Sequence, residues 1–115
     1  DVLTLLSEAI VRNSNVVTQE AVDLLNQVRM RAKLKAYTMG DIKGVEDFLD
    51  KVLEERGHEF WWEGVRRSDL IRHGKFIQGA IDRGSTTTKP EFVLFPLPQA
   101  VINEGKGIII QNPGY

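Results

Sequence analysis

Apolar residues recur at helical spacing in three stretches of the chain. Val2, Leu3, Leu6, Ala9 and Ile10 form the first stripe and predict a helix over about residues 2–13. Asn13-Ser14-Asn15 breaks it. Thr18 has the side chain of an N-cap, and Glu20 falls in the first turn of a second helix, where a carboxylate meets the positive end of the helix dipole. That helix turns Ala21, Val22, Leu25, Val28 and Ala32 inward and runs to about Lys33. Two helices joined by a short turn, with small residues at their crossing, predict an antiparallel hairpin over 1–34. Its inward Ala9, Ala21 and Leu25 follow the pattern of one tetratricopeptide-type repeat. Residues 35–43 connect it to the third stripe, Val45, Phe48, Leu49, Val52 and Leu53, which predicts a long helix over about 45–63.

A shorter helix is predicted over 66–74, ended by Gly74, with another turn or two over 75–82. Residues 45–82 are thus a long helix and a helix corner. The loop Gly84–Pro90 then changes the character of the chain. Phe92-Val93-Leu94-Phe95 is an extended apolar run, Pro96 and Pro98 forbid its continuation as a helix, and Pro98 suits the start of a one-turn helix over 99–103. Gly105-Lys106-Gly107 turns into Ile108-Ile109-Ile110. The expectation for 84–115 is an irregular tail that wraps back over the helices and plugs them with its Phe, Leu and Ile side chains. The fold class is all-α: a tetratricopeptide-like hairpin, a long helix with its corner, and an irregular C-terminal wrap.

The third stripe does not fade where the helix should end. Continued at about 100° per residue, it passes through Arg56, Glu59, Phe60 and Glu63. Ionisable groups on a core face must be paired, because an unpaired charge in the interior is expensive. Arg66, Arg67, Asp69 and Arg72 follow beyond Gly64, closely enough to serve as partners. The expectation is a structural ion network of Arg56, Glu59, Glu63, Arg66, Asp69 and Arg72, in which Glu59→Ala strands an arginine at a cost of about 3–5 kcal/mol. The opposing reading makes Glu59 and Glu63 an acid–base pair one helical turn apart. Nearby arginines would keep both carboxylates ionised, whereas acid catalysis needs one with a raised pKa. No catalytic residue is assigned.

Trp61 and Trp62 also have two readings. Sugars stack on such rings, which makes them candidate glycan contacts, but large aromatics are mostly buried, and packing against a neighbouring helix or the tail is preferred. His58 and His73 stand outside any pattern of three or four ligands, so no metal site is expected, and no cofactor.

Composition narrows the classes. At 115 residues the chain is one domain at most. Fifteen basic against sixteen acidic residues remove the electrostatic case for nucleic acid. The chain has no cysteine, and no apolar run approaches the ~20 residues of a membrane span. It starts at Asp1 with helical patterning, and the expectation is a piece of a longer chain.

Four motifs in order carry a family resemblance: NQVRMRA at 26–32, EERGHEFWWEGVRRSDLIR at 54–72, LFPLPQAVI at 94–102 and QNPGY at 111–115. Together they resemble the C-terminal portion of the SusD/RagB family, over nearly the whole chain. The resemblance implies a largely helical, non-enzymatic, cell-surface protein that binds glycans or other nutrients. It also implies a lipid anchor in the outer membrane, on a part not in this chain, and a partner in a TonB-dependent (SusC-like) transporter. No residue here inherits a sugar contact. The alternative is a helical protein–protein interaction scaffold with no sugar role. Apolar surface on the first helix and the Ile108–Ile110 run lead to the expectation that the piece by itself self-associates.

Overall fold

The structure is a computed structural model that describes all of residues 1–115. It is all-helical. Six α-helices, α1 (Val2–Ser14), α2 (Gln19–Arg31), α3 (Val45–Glu59), α4 (Arg66–Arg72), α5 (Phe76–Asp82) and α6 (Gln99–Glu104), are joined by 3₁₀ turns at Met39–Asp41 and Pro90–Val93. The chain forms two compact units, Asp1–Arg66 and Arg67–Tyr115. The boundary passes through the helix corner, which the sequence pattern had placed in one segment with the long helix.

In the first unit, local chemistry sets the helix ends. Asn15 takes the left-handed conformation (φ 53°) and its N–H reaches back to the Val11 carbonyl, closing α1. The Thr18 hydroxyl accepts a hydrogen bond from the Ala21 N–H at 3.2 Å and opens α2, as its residue type predicts. The core is Val11 of α1, Ala21, Val22 and Leu25 of α2, and Phe48, Leu49 and Val52 of α3, with Ile10 and Tyr37 packed against it. Burial of each larger side chain contributes about 1.5–3 kcal/mol.

The second and third stripes thus face the core, except that Ala32 is exposed as the cap of α2. The first stripe meets the core only through Ile10. Val2, Leu6 and Ala9 are exposed, while Thr4, Ser7, Glu8 and Val11 are buried. The physical reason is that these polar groups find partners, within α1 and across to α2 and α3. Ser7 Oγ donates to the Ala21 carbonyl at 2.8 Å. Thr4 Oγ1 donates to the Asp1 carbonyl and accepts from Arg56. Arg12 donates to Glu8 at 2.6 Å. Small, hydrogen-bonded side chains let helices approach closely, and Val2, Leu5 and Leu6 are left on the other face.

The second unit is held differently. α4 ends in a Schellman motif, with the Gly74 N–H on the Ile71 carbonyl and the Lys75 N–H on that of Leu70. Asp69 is its one buried residue. Arg67 is the hub: its guanidinium lies 3.9 Å from the Phe95 ring centroid and 5.0 Å from that of Phe76, and donates to the carbonyls of Phe92 and Val93. The C-terminal motif clasps residues 94–97. Gln111 makes hydrogen bonds to both the N–H and the carbonyl of Leu97, Asn112 donates to the Phe95 carbonyl, and the Tyr115 hydroxyl donates to that of Leu94. The plug expectation fails. Phe95 is 68% exposed, and Ile108 and Ile110 are 86% and 80% exposed. Phe92 and Val93 belong to a 3₁₀ turn rather than an extended run. Prolines at 90, 96 and 98 and the turn at Lys106-Gly107, both at positive φ, spend this segment on bends.

Candidate functional site

α3 ends four residues earlier than its pattern predicts. Phe60 is its C-cap, Trp62 adopts a left-handed conformation (φ 70°), and Gly64 follows at φ 78°. A non-glycine residue at positive φ is uncommon and clusters at sites where surrounding structure holds it. The early end rotates everything beyond Glu59 off the helical wheel. Glu63 is therefore exposed instead of lying on the core face. Trp61 and Trp62 are thrown outward, 77% and 91% exposed. Within this chain neither ring packs against a helix or the tail, because the turn directs both outward.

They line an open groove of about 430 Å³, together with Phe60, Glu54, His58 and Arg66. Its back wall depends on a close approach. The Arg66 side chain crosses α3 at Gly57 and donates from Nη1 to the Leu53 carbonyl at 2.5 Å. A Cβ at position 57 would stand 2.8 Å from that nitrogen. Glycine is required there for proximity. The groove thus combines two exposed indoles with a carboxylate, an imidazole and a guanidinium, a mixture of ring faces, acceptors and donors.

Of the expected ion network, Arg72 and Asp69 pair with each other, while Arg56, Glu59 and Arg66 bond to groups outside the set. Arg56, 4% exposed, donates to Asp1 Oδ1 at 2.6 Å and Thr4 Oγ1 at 2.8 Å, tying α3 to α1, and lies 5.0 Å from the Phe60 ring centroid. Glu59 pairs with Arg31 of α2. Arg72 donates to buried Asp69 at 2.7 Å. Arg66 binds a backbone carbonyl and Glu63 faces solvent.

Sequence reasoning missed the residues that tie α2 to the rest of its unit. Arg29 pairs with buried Glu55 at 2.7 Å. Buried Asn26 makes two hydrogen bonds to the Tyr37 backbone, 2.7 and 2.8 Å. The polar letters of NQVRMRA were the available signal, since Asn26, Arg29 and Arg31 lie on the side of α2 facing the connector and α3. A second cavity, about 260 Å³, surrounds Tyr37 between Arg29, whose guanidinium is 3.9 Å from the ring, and Lys51. Two of its cations are engaged. Arg29 holds Glu55, and Lys51 holds Asp47 at 2.8 Å, which raises the ammonium pKa and lowers that of Asp47. Asp41 there is held low by hydrogen bonds from the Thr38 N–H and hydroxyl. No cluster of three or more His, Asp or Glu side chains is arranged to hold a metal ion.

A helical hairpin with a third helix across it ends in an aromatic-lined groove. The chain belongs to the SusD family, whose model matches residues 1–115. Among curated proteins no relative matches. It is similar to surface glycan-binding protein A from Bacteroides thetaiotaomicron, with 32% identity, TM-score 0.72 and 96% of this chain covered. The same protein in complex with laminarihexaose superposes at TM-score 0.70. A SusD homolog from Bacteroides thetaiotaomicron matches over 99% of the chain at 26% identity and TM-score 0.82. The chain spans only 22% and 25% of the length of these two proteins.

Proposed function

We propose that this chain is the C-terminal part of a SusD-like glycan-binding protein of the cell surface, and that it contributes the Trp61–Trp62 groove to glycan capture. The observation that carries this is the exposure of two adjacent indoles over a groove with hydrogen-bonding side chains. Indole faces stack on the C–H faces of sugar rings, and both indoles are open to solvent in this chain. Family membership and the glycan-binding neighbours support the same class. Calorimetric titration with laminarihexaose and a panel of other oligosaccharides tests it. Binding that is lost in Trp62→Ala, with the melting temperature unchanged, supports the groove. Absence of binding across the panel overturns it.

The longer parent works with a TonB-dependent outer-membrane transporter and is lipid-anchored outside the part described by this chain. Co-purification of the full-length parent with the barrel tests the partnership. No helix of the chain is long and apolar enough to cross a membrane. The role is binding and not hydrolysis. Glu59 is held as a carboxylate partner by Arg31 and Glu63 faces solvent, so neither has the sheltered setting an acid catalyst needs. Release of reducing sugar by the purified chain, abolished in Glu63→Gln, would reverse this.

By itself the chain self-associates through the outer face of α1, where Val2, Leu5 and Leu6 are 77%, 38% and 45% exposed. Light scattering over a concentration series reads this out, and a monomer at the highest concentration would refute it.

A further inference from the structure

The groove has one polar side chain whose position is built rather than free. Arg66 lies across Gly57, closer than any Cβ would permit, and is fixed by the Leu53 carbonyl. A guanidinium has five N–H donors. One is on that carbonyl, and Arg66 remains exposed along the groove. Glu54, one helical turn before His58, offers a carboxylate on the same wall, and both are exposed.

Resting on the glycan-binding reading, we propose that Arg66 is the groove's preorganised hydrogen-bond anchor, positioned by Gly57. With Glu54 it makes the groove selective for neutral, hydroxyl-rich sugar rings over acidic ones. A pyranose presents neighbouring hydroxyls that each donate and accept. A fixed donor beside an acceptor matches such a pair, with the ring's C–H face on an indole. The opposite charges of Glu54 and Arg66 leave the groove without a net field to draw in an anion, and Glu54 repels a carboxylated or sulfated ring. The arginine loses little freedom on binding because its guanidinium is already held.

Gly57→Ala isolates the anchor from the fold. The added methyl displaces only the end of an exposed side chain, and alanine is the better helix former, so the variant melts at the same temperature or higher. Titrations use a neutral gluco-hexasaccharide and a hexameric uronic-acid oligomer. The wild-type chain binds the neutral probe in preference. Gly57→Ala and Arg66→Ala each weaken it about tenfold, the worth of one charge-assisted hydrogen bond. Arg66→Lys, which keeps a cationic donor, recovers part of the loss. Unchanged affinity in both alanine variants overturns the anchor, and if Trp62→Ala still abolishes binding the platform survives it. Preference for the uronic-acid probe overturns the selectivity. A wild-type chain that binds neither probe overturns the glycan reading and this inference together.

Discussion

The two units of the molecule solve the problem of cohesion in opposite ways. Asp1–Arg66 hides apolar side chains: Val11, Ala21, Val22, Leu25, Phe48 and Val52 are fully buried, and its ion pairs sit at the edge of that core. Arg67–Tyr115 buries no apolar residue and leans on side chains bonded to backbone carbonyls, with Arg67, Gln111, Asn112 and Tyr115 each doing so. The difference follows from chain grammar. Helices satisfy their own backbone and free side chains to pack. A proline- and glycine-punctuated segment leaves carbonyls open, and polar side chains must meet them. Stability in the first unit is therefore cooperative and in the second local.

The sharpest test is a deletion in the first core. Phe48→Ala removes the largest fully buried side chain and costs about 3–5 kcal/mol, read as a fall in the urea midpoint. Next, the ion pairs should separate by burial. Glu55→Ala strands Arg29 beside a core and costs about 3 kcal/mol. Glu59→Ala breaks a pair in which the Arg31 side chain is 69% exposed, and costs about 1 kcal/mol or less, well below what the sequence pattern implied. Equal losses in the two would show that position relative to the core is not what sets them.

In the second unit, Gln111→Ala removes a two-way clasp on Leu97 and costs about 1–2 kcal/mol. Hydrogen exchange should quicken around 94–97 while the amides of α2 stay protected. Global acceleration would erase the contrast between the units. The smallest effect is with pH. Asp47 is held below its ordinary pKa, first by the Lys51 ammonium and then by the Lys43 N–H. Its contribution to stability is complete above the ordinary value of 3.8 and is lost as pH falls below that, through the depressed folded value. Asp47→Asn should flatten that acid limb by a small loss of stability at neutral pH, with the variant and the wild type converging in acid. A limb of unchanged slope would remove Asp47 from it.

How much was legible depends on whether one periodicity had one explanation. The stripes of α2 and α3 were readable because their apolar residues have no competitor for the core. Thr18 was readable as a cap because its hydroxyl acts within three residues. Four motifs in order sufficed for the family. α1 misled, since hydrophobic periodicity ranks faces by apolarity, and the contact face was chosen by what Ser7, Thr4 and Glu8 could bond to. Those partners, Ala21, Arg56 and Arg12, lie 4 to 52 residues away.

The candidate site lay further from reach. Residue type marked Trp61 and Trp62 as sugar-stacking candidates, and the sequence by itself determined that the stretch was rich in charge and aromatics. Where α3 stops was a tertiary decision. The turn at Phe60 and the positive φ of Trp62 and Gly64 end the wheel at Glu59. A helix is propagated by local hydrogen bonds that sequence patterns record, but it is ended by whatever competes for its last carbonyls. Here the Phe60 N–H closes on the Arg56 carbonyl, and the positive φ of Trp62 and Gly64 turns the chain away. The Trp rings face solvent for that reason.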